Sequence, residues 1–219
     1  MPRSPQHYEA AFERYVRSRR IPYVSVDEAR KALLPQDHVL RYECSPAAPG
    51  SSPASHTLKS FDYVLYGPGG NLLIEVKGRR VAPPAKHRSG ESHARDPLSR
   101  RPRRATLQSW VGLDDVESLK VWQRLFGPQF KAAFVFLYQC DEQPPDGLFQ
   151  EIFDHEGSWY AVRAAMLDDY AAVMKTRSPR WRTVHVRTSD FERISQPLAP
   201  ALEHMPGAPD GREPVFTPY

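Results

Sequence analysis

Apolar and polar positions follow three patterns along the chain. In SPQHYEAAFERYVRSRR, Tyr8, Ala11, Phe12, Tyr15 and Val16 recur at helical spacing, which predicts an amphipathic helix that Ser4 caps and Pro5 opens. VDEARKALL reads as a second, short helix with Asp27 as its cap, and HVLRYEC as a strand. A Pro/Ser-rich loop, SPAAPGSSPASH, leads to LKSFDYVLY and NLLIEVK, two strand-like stretches around a Gly-Pro-Gly-Gly turn. In LQSWVGLDDVESLKVWQRLFG, Leu113, Val116, Leu119 and Trp122 to Phe126 form a helical stripe that Gly127 and Pro128 stop. FKAAFVFLYQC is apolar almost throughout, the pattern of a central strand covered on both faces. Beyond it, LFQEIFDHEGSWYAVRA predicts a hairpin turning at Glu156-Gly157, LDDYAAVMK a helix, WRTVHVR a strand, and SDFERI a short helix capped by Ser189.

The order helix, strands, helix, strand, then additions predicts an α/β domain with a mixed sheet covered on both faces. The 219 residues suffice for one such domain, expected over residues 1–198, with a loose Pro/Gly-rich tail over 199–219. One stretch breaks the pattern: RRVAPPAKHRSGESHARDPLSRRPRR has no periodicity and many cations, and reads as a mobile basic loop over 79–106.

Composition changes this picture little. At 40% hydrophobic and 26% charged residues it is that of an ordinary soluble protein, and the net charge of +4 mildly favours an anionic partner. The two cysteines, Cys44 and Cys140, are too few for a disulfide framework and lack metal-ligand spacing. MPRSPQHYEAAFERY lacks the apolar core of a signal peptide, and AAFVFLY is too short to span a bilayer. The expectation is a soluble, cytoplasmic protein with no membrane partner. There is no internal repeat, phosphate-cradling loop or dinucleotide fingerprint, and His155, His185 and the Ser and Cys residues have no triad spacing.

The candidate chemistry lies in the hairpin FDYVLYGPGGNLLIEVKG. If Gly67 to Gly70 close it, Tyr66 faces Asn71 and Asp62 faces Glu75, while Glu75 and Lys77 share one face of their strand. Opposed positions sit about 5 Å apart at Cβ, so two carboxylates and a lysine converge on one spot. Like charges at that distance repel, and burial adds a desolvation cost. A divalent cation removes both penalties, and Mg²⁺ favours one or two carboxylates with water and phosphate completing its octahedron. A salt-bridged surface hairpin is the competing reading, against which stands the wholly apolar face of Leu72, Ile74 and Val76.

Phe61-Asp62 followed by Glu75-Val76-Lys77 resembles the signature of the PD-(D/E)XK, or restriction-endonuclease-like, nucleases. The chain departs from it in having Phe61 where the superfamily name has Pro. Many members add a glutamate from the first helix, which Glu9 matches by position, with Glu13 one turn later as the alternative. HYEAAFERY and IPYVSVDEARKAL are in addition similar to a bacterial family named for its HYExAFE motif, a likeness that implies no activity. The nuclease resemblance covers about Gln6 to Tyr138 and assigns no role to residues 148–219.

That resemblance implies a restriction-endonuclease-like core of helix, three-stranded antiparallel meander, helix and strand, with a C-terminal hairpin and helices added. It implies that Asp62, Glu75 and the Val76 carbonyl hold Mg²⁺ or Mn²⁺, that Glu9 supports the metal or its water, and that Lys77 orients the nucleophile and stabilises the transition state. The reaction implied is phosphodiester hydrolysis, with DNA as the expected substrate. A nuclease fold that binds nucleic acid or a protein partner without turnover is the alternative, and an ion network of purely structural purpose a third reading. RNA against DNA, substrate structure, pathway and oligomeric state, homodimer included, stay open.

Weaker signals surround this core. Arg79, Arg80, Lys86, Arg88, Arg95, Arg100, Arg101, Arg103 and Arg104 leave the strand just past Lys77 and would gather phosphates without reading bases, or merely solvate a loop. Gln108 and Gln123 flank or lie on the following helix, where some branches of the superfamily place a site glutamine. Trp110 and Trp122 read as core, and His7, beside the helix motif, as a cap or surface residue.

Overall fold

The stretch Ala132 to Tyr138 is at most 1% exposed and lies at the centre of the protein. The computed structural model describes residues 6–33, 39–44, 54–81, 107–140, 143 and 151–203. In chain order these form α1 (Gln6–Ser18), β1 (Tyr23–Ser25), α2 (Val26–Leu33), β2 (Arg41–Cys44), β3 (Ala54–Thr57), β4 (Tyr63–Gly67), β5 (Gly70–Arg80) and β6 (Val111–Gly112). There follow α3 (Leu113–Phe126), β7 (Phe130–Cys140), β8 (Ile152–His155), β9 (Ser158–Met166), α4 (Leu167–Val173), β10 (Lys175–Ser178), β11 (Thr183–His185), α5 (Thr188–Ile194), β12 (Ser195–Gln196) and α6 (Leu198–Glu203).

Among the described residues the main sheet has seven strands in the order β1-β4-β5-β7-β9-β12, with β8 paired to β9. β5 and β7 run parallel, and the other pairings of this sheet are antiparallel. Parallel neighbours need a crossover, and α3 lies in this one. The result is a mixed α/β fold around a mostly antiparallel sheet. Helices cover both faces. Phe12, Tyr15 and Val16 of α1 and Leu198 and Leu202 of α6 pack with Leu72, Ile74, Val135 and Leu137. On the other face Val116 and Leu119 of α3, Tyr170 of α4 and Phe191 of α5 pack with Leu73, Phe134, Phe136 and Tyr138. β7 alternates between these two cores, which is why its sequence reads as one apolar run. Among the described residues no helix is long and apolar enough to cross a membrane.

Several local expectations are corrected. The strand at Arg41–Cys44 pairs with Ala54–Thr57, of which Ala54 to His56 read from sequence as loop, in a ribbon apart from the main sheet. The third antiparallel strand beside β4 is instead β1, between the first two helices. The α2 cap is Ser25, whose hydroxyl accepts the Glu28 N–H at 3.4 Å, while Asp27 pairs with Lys31 inside the helix. α5 begins one residue before Ser189, and its cap position, Arg187, makes no side-chain cap. Arg79 and Arg80, assigned to the basic loop, belong to β5. Ser4, Pro5 and the loop cations Lys86, Arg88, Arg95, Arg100, Arg101, Arg103 and Arg104 lie outside the described residues. The Glu156-Gly157 hairpin is observed, with both residues in the left-handed region at φ 46° and 70°, as the twist of a two-residue turn demands.

The expected tail boundary is also wrong, because α6 belongs to the core. Leu198 is 0% exposed, its N–H donates to the buried Glu151 carboxylate at 2.6 Å, and the Leu202 carbonyl accepts the Gly69 N–H of the β4–β5 turn. Pro and Gly enrichment signalled a loose chain, but Leu198, Ala201 and Leu202 at helical spacing supply enough apolar surface to dock. Leu198→Ala should therefore cost about 2–5 kcal/mol, the range for a large-to-small change in a core. Urea denaturation checks this, and an unchanged midpoint would mean that α6 does not contribute to the fold.

Candidate functional site

The site is built where β4 stops short of β5. The hairpin has the expected register, with Tyr66 opposite Asn71 and Tyr63 opposite Ile74, and the ladder ends there. Asp62 takes over one residue earlier. Its N–H donates to the Ile74 carbonyl at 2.9 Å, and its Oδ2 accepts the Val76 N–H at 2.7 Å. The aspartate side chain thus substitutes for backbone in satisfying β5. Odd-numbered residues of β5 turn their N–H groups toward β7, as Asn71 and Val81 do in bonding Gln129 and Gln139. The Val76 carbonyl consequently faces the gap beyond the start of β4. Side chains alternate as well, so Leu72 and Ile74 join the α1 core, while Glu75 and Lys77 share the α3 side with Leu73.

Lys77 is held between two carboxylates, with Nζ 2.7 Å from Glu75 Oε1 and 2.7 Å from Asp115 Oδ2. Asp115 is a site residue that the sequence did not reveal. It lies in the first turn of α3, accepts the Gly112 N–H at 3.3 Å, and pairs with Lys59 at 3.0 Å. An acidic residue in a first turn is ordinary for a helix, so the sequence carried no signal that this one reaches the hairpin.

The electrostatics follow from this division of one ammonium. Burial pushes the Asp62 carboxyl up to about 6, against the pull of the Val76 N–H and Lys77. Burial, reinforced by Asp62, pushes Glu75 up to about 7, against the opposing charge of Lys77. Burial alone would lower the Lys77 pKa, but Glu75 and Asp115 outweigh it and hold it above the ordinary lysine value. Burial likewise opposes ionisation of Asp115, yet Lys77 and Lys59 keep its carboxyl below the usual range. Lys77 is committed to Asp115 as much as to Glu75, and so leaves the Asp62–Glu75 pair short of positive charge.

A cleft of about 410 Å³ opens here, lined by Tyr8, Glu9, Asp62, Glu75, Lys77 and Arg79 among others. α1 is seated by a close approach: a Cβ on Gly78 would stand 2.1 Å from the Tyr8 ring, so only glycine lets that ring lie against β5. The next residue, Glu9, lines the cleft and accepts no hydrogen bond among the described residues. Glu13 is engaged elsewhere, accepting from Arg17 at 2.8 Å and from the Tyr23 and Tyr63 hydroxyls at 3.3 and 3.4 Å, which ties α1 to β1 and β4.

The donors present fit a hard divalent cation. Asp62 Oδ1 and Glu75 Oε2 accept no hydrogen bond among the described residues, both residues line the cleft, and the Val76 carbonyl faces the same gap. Oxygen donors and repelling carboxylates are what Mg²⁺ or Mn²⁺ takes. Among the described residues no group of three or more His, Cys, Asp or Glu is arranged for a metal.

The remaining expected residues lie elsewhere. Gln123 accepts the Ala132 N–H at 2.6 Å and faces Asp168, so it fixes the start of β7 and not the site. Gln108 accepts the Tyr138 hydroxyl through its carbonyl. Trp122 packs edge-on against Phe61 and Phe126, as a core residue does. Trp110 does not: it is half-buried, with the guanidiniums of Arg79 and Arg177 at 4.0 and 4.9 Å from its ring centre. The His7 ring packs at a tilt on Tyr8, with centroids 3.9 Å apart, and His155 sits at the β8–β9 turn. Compared with known proteins, the chain matches no family model, no curated protein and no solved structure.

The raised Asp62 pKa fixes the sign of a pH effect. A carboxyl that binds its proton more tightly in the fold than in the unfolded chain, where the value is about 4, loses the fold stability as pH rises from about 4 to about 7. Asp62→Asn keeps an acceptor for the Val76 N–H and removes that loss. Relative to the parent, and with no metal added, the variant should gain on the order of 1–3 kcal/mol between pH 4 and pH 7, measured by urea denaturation at each pH. A pH-independent difference would mean that Asp62 is not desolvated in the fold.

Proposed function

We propose that the protein is a metal-dependent phosphodiesterase of the PD-(D/E)XK type that hydrolyses nucleic acid, with DNA as the first candidate substrate. The observation that carries this reading is the pair of under-neutralised carboxylates, Asp62 and Glu75, in one cleft with Lys77. Purely structural ion networks place opposite charges together, and this one leaves two like charges raised in pKa beside open space. A restriction-endonuclease-like core belongs to the same reading: α1, the antiparallel β4–β5 pair, α3 and then β7 follow one another in the order that resemblance implies.

The chain's own groups divide the work. Asp62, Glu75 and the Val76 carbonyl would hold the cation. When bound, Mg²⁺ or Mn²⁺ supplies Lewis-acid chemistry, lowering the pKa of a water and offsetting charge on the scissile phosphate. Lys77, kept charged and aimed by Asp115, donates a hydrogen bond to a non-bridging phosphate oxygen as negative charge builds there. Glu9, on the cleft wall, accepts a hydrogen bond from the attacking water and orients it. Attack forms the new P–O bond as the water's proton passes to solvent, the bond to the leaving sugar oxygen breaks, and a proton from solvent completes that hydroxyl.

Incubation with labelled duplex, single-stranded, flap and four-way-junction DNA and with RNA, in Mn²⁺ or EDTA, tests the reading. Mn²⁺-dependent cleavage of one of these supports it, and a lack of cleavage across the panel contradicts it. Asp62→Ala and Glu75→Ala should abolish both cleavage and Mn²⁺ binding. Lys77→Ala should lose on the order of 10²- to 10³-fold in rate while still binding the metal, because its hydrogen bond is spent on the transition state. Calorimetry separates the two effects, and undiminished Mn²⁺ affinity in Asp62→Ala would refute the metal assignment.

Glu9 and Glu13 should also part ways. Glu9→Gln should reduce cleavage at unchanged stability, since no described group depends on its carboxylate. Glu13→Gln should lower stability by about 1–3 kcal/mol by weakening the hydrogen bonds to Arg17, Tyr23 and Tyr63, with the smaller effect on rate. Equal or greater loss of rate in Glu13→Gln would reverse the assignment.

A further inference from the structure

Arg79 leaves the carboxylate cleft at its far end and enters surroundings of opposite character. Its Nη1 donates to the Gly78 carbonyl at 2.7 Å and its Nη2 to the Trp110 carbonyl, while its Nε is buried without a partner among the described residues. Its guanidinium stacks on the Trp110 ring, and the Arg177 guanidinium approaches the same ring. Two cations thus share one indole, and neither meets a carboxylate among the described residues. Burial lowers the pKa of Arg79 against the opposing influence of Tyr138, Tyr170 and Tyr8, and Arg177 contributes a smaller lowering.

Trp110 in turn lines a second cleft of about 400 Å³, together with Gln108, Arg177, His185, Arg187 and Thr188. The residues lining that cleft include two arginines and a histidine but no Asp or Glu. Arg177 and Arg187 form no ion pair among the described residues, although other exposed arginines do: Arg17, Arg182 and Arg193 each have a carboxylate within 3.4 Å. His185 Nδ1 is buried and unpartnered among the described residues. Guanidinium forks and an imidazole around a half-buried indole match a phosphate diester with its base nearby.

We propose that this second cleft is a phosphate-binding site for the strand that occupies the carboxylate cleft, with Arg177, Arg187 and His185 on its backbone and Arg79, stacked on Trp110, joining the two clefts. The inference rests on the nucleic-acid reading above and extends it to residues outside the PD-(D/E)XK resemblance, which ends near Tyr138. The surface is sequence-blind, because it offers cations and one aromatic face but no set of groups arranged to read base edges.

The test uses the full chain in EDTA, where turnover is suppressed, and a fluorescent DNA duplex followed by anisotropy across a salt series. Removing one cation that neutralises a phosphate makes the slope of log affinity against log salt shallower by about 0.9, so removing two should reduce the fall in affinity between 50 and 200 mM salt by about 12-fold. The Arg177→Gln/Arg187→Gln double variant should show this change and keep the parent's Mn²⁺ affinity. The Arg177→Lys/Arg187→Lys variant should keep the parent slope, which separates charge from any effect on folding. If the parent binds the duplex in EDTA and cleaves it once Mn²⁺ is supplied, while the glutamine variant keeps the parent's slope, the second cleft does not touch the strand and this inference alone falls. If a mononucleotide or a polyglutamate peptide binds there as tightly as the duplex, the site is one for small anions or acidic peptides, and the inference is again overturned. If the parent binds no polynucleotide under any condition, both this inference and the nuclease reading fall.

Discussion

Asp62 and Glu75 are two half-buried carboxylates with only part of one ammonium between them, because Lys77 is shared with Asp115. Desolvation raises both carboxyls toward neutrality, to about 6 and about 7, and the neighbouring carboxylates add to it: Glu9 and Asp115 at Asp62, Asp62 and Asp115 at Glu75. Replacing such a pair with apolar residues would relieve that penalty, and the surrounding strands are apolar enough to accept the change. The cost becomes intelligible if the pair is completed by something that arrives from outside with positive charge. A divalent ion and its phosphate ligand meet that description, and the open Glu9 and the donor-rich Arg79 at either side of the cleft extend it.

The fold concentrates this arrangement on β5. That strand pairs with β7 along its length but with β4 over only its first half, so its second half keeps an edge free for the Asp62 side chain and the Val76 carbonyl. Both helical layers reach the same edge. α1 arrives through Tyr8 on Gly78, and α3 arrives through Asp115 on Lys77. β7, buried on both faces between them, is the rigid support that keeps the two approaches in register.

The parts of this legible in the sequence were those fixed by short-range geometry. A four-residue Gly-Pro-Gly-Gly turn leaves little freedom in pairing, so the convergence of Asp62, Glu75 and Lys77 could be read directly, and unbroken apolarity marked β7 as central. Long-range partners were not legible. Asp115 is 38 residues from Lys77 and carries the signature of any helix N-terminus. Trp110 looked like core because indoles usually are, and the arginines that flank it come from β5 and β10. Composition misled in two places: Pro/Ser richness hid β3, and Pro/Gly richness hid α6, although these elements need only four and six residues of suitable pattern.

On the reading proposed above, a divalent cation and protons compete for the Asp62–Glu75 pair. Calorimetric titration with Mn²⁺ at pH 6.5, in two buffers of different ionisation enthalpy, measures this directly, because a metal can enter only by displacing the protons that desolvation holds there. With carboxyls at about 6 and about 7, binding should release about one proton per ion into the buffer. Heat that is the same in both buffers, or no binding at millimolar Mn²⁺, would mean that no such competition takes place there.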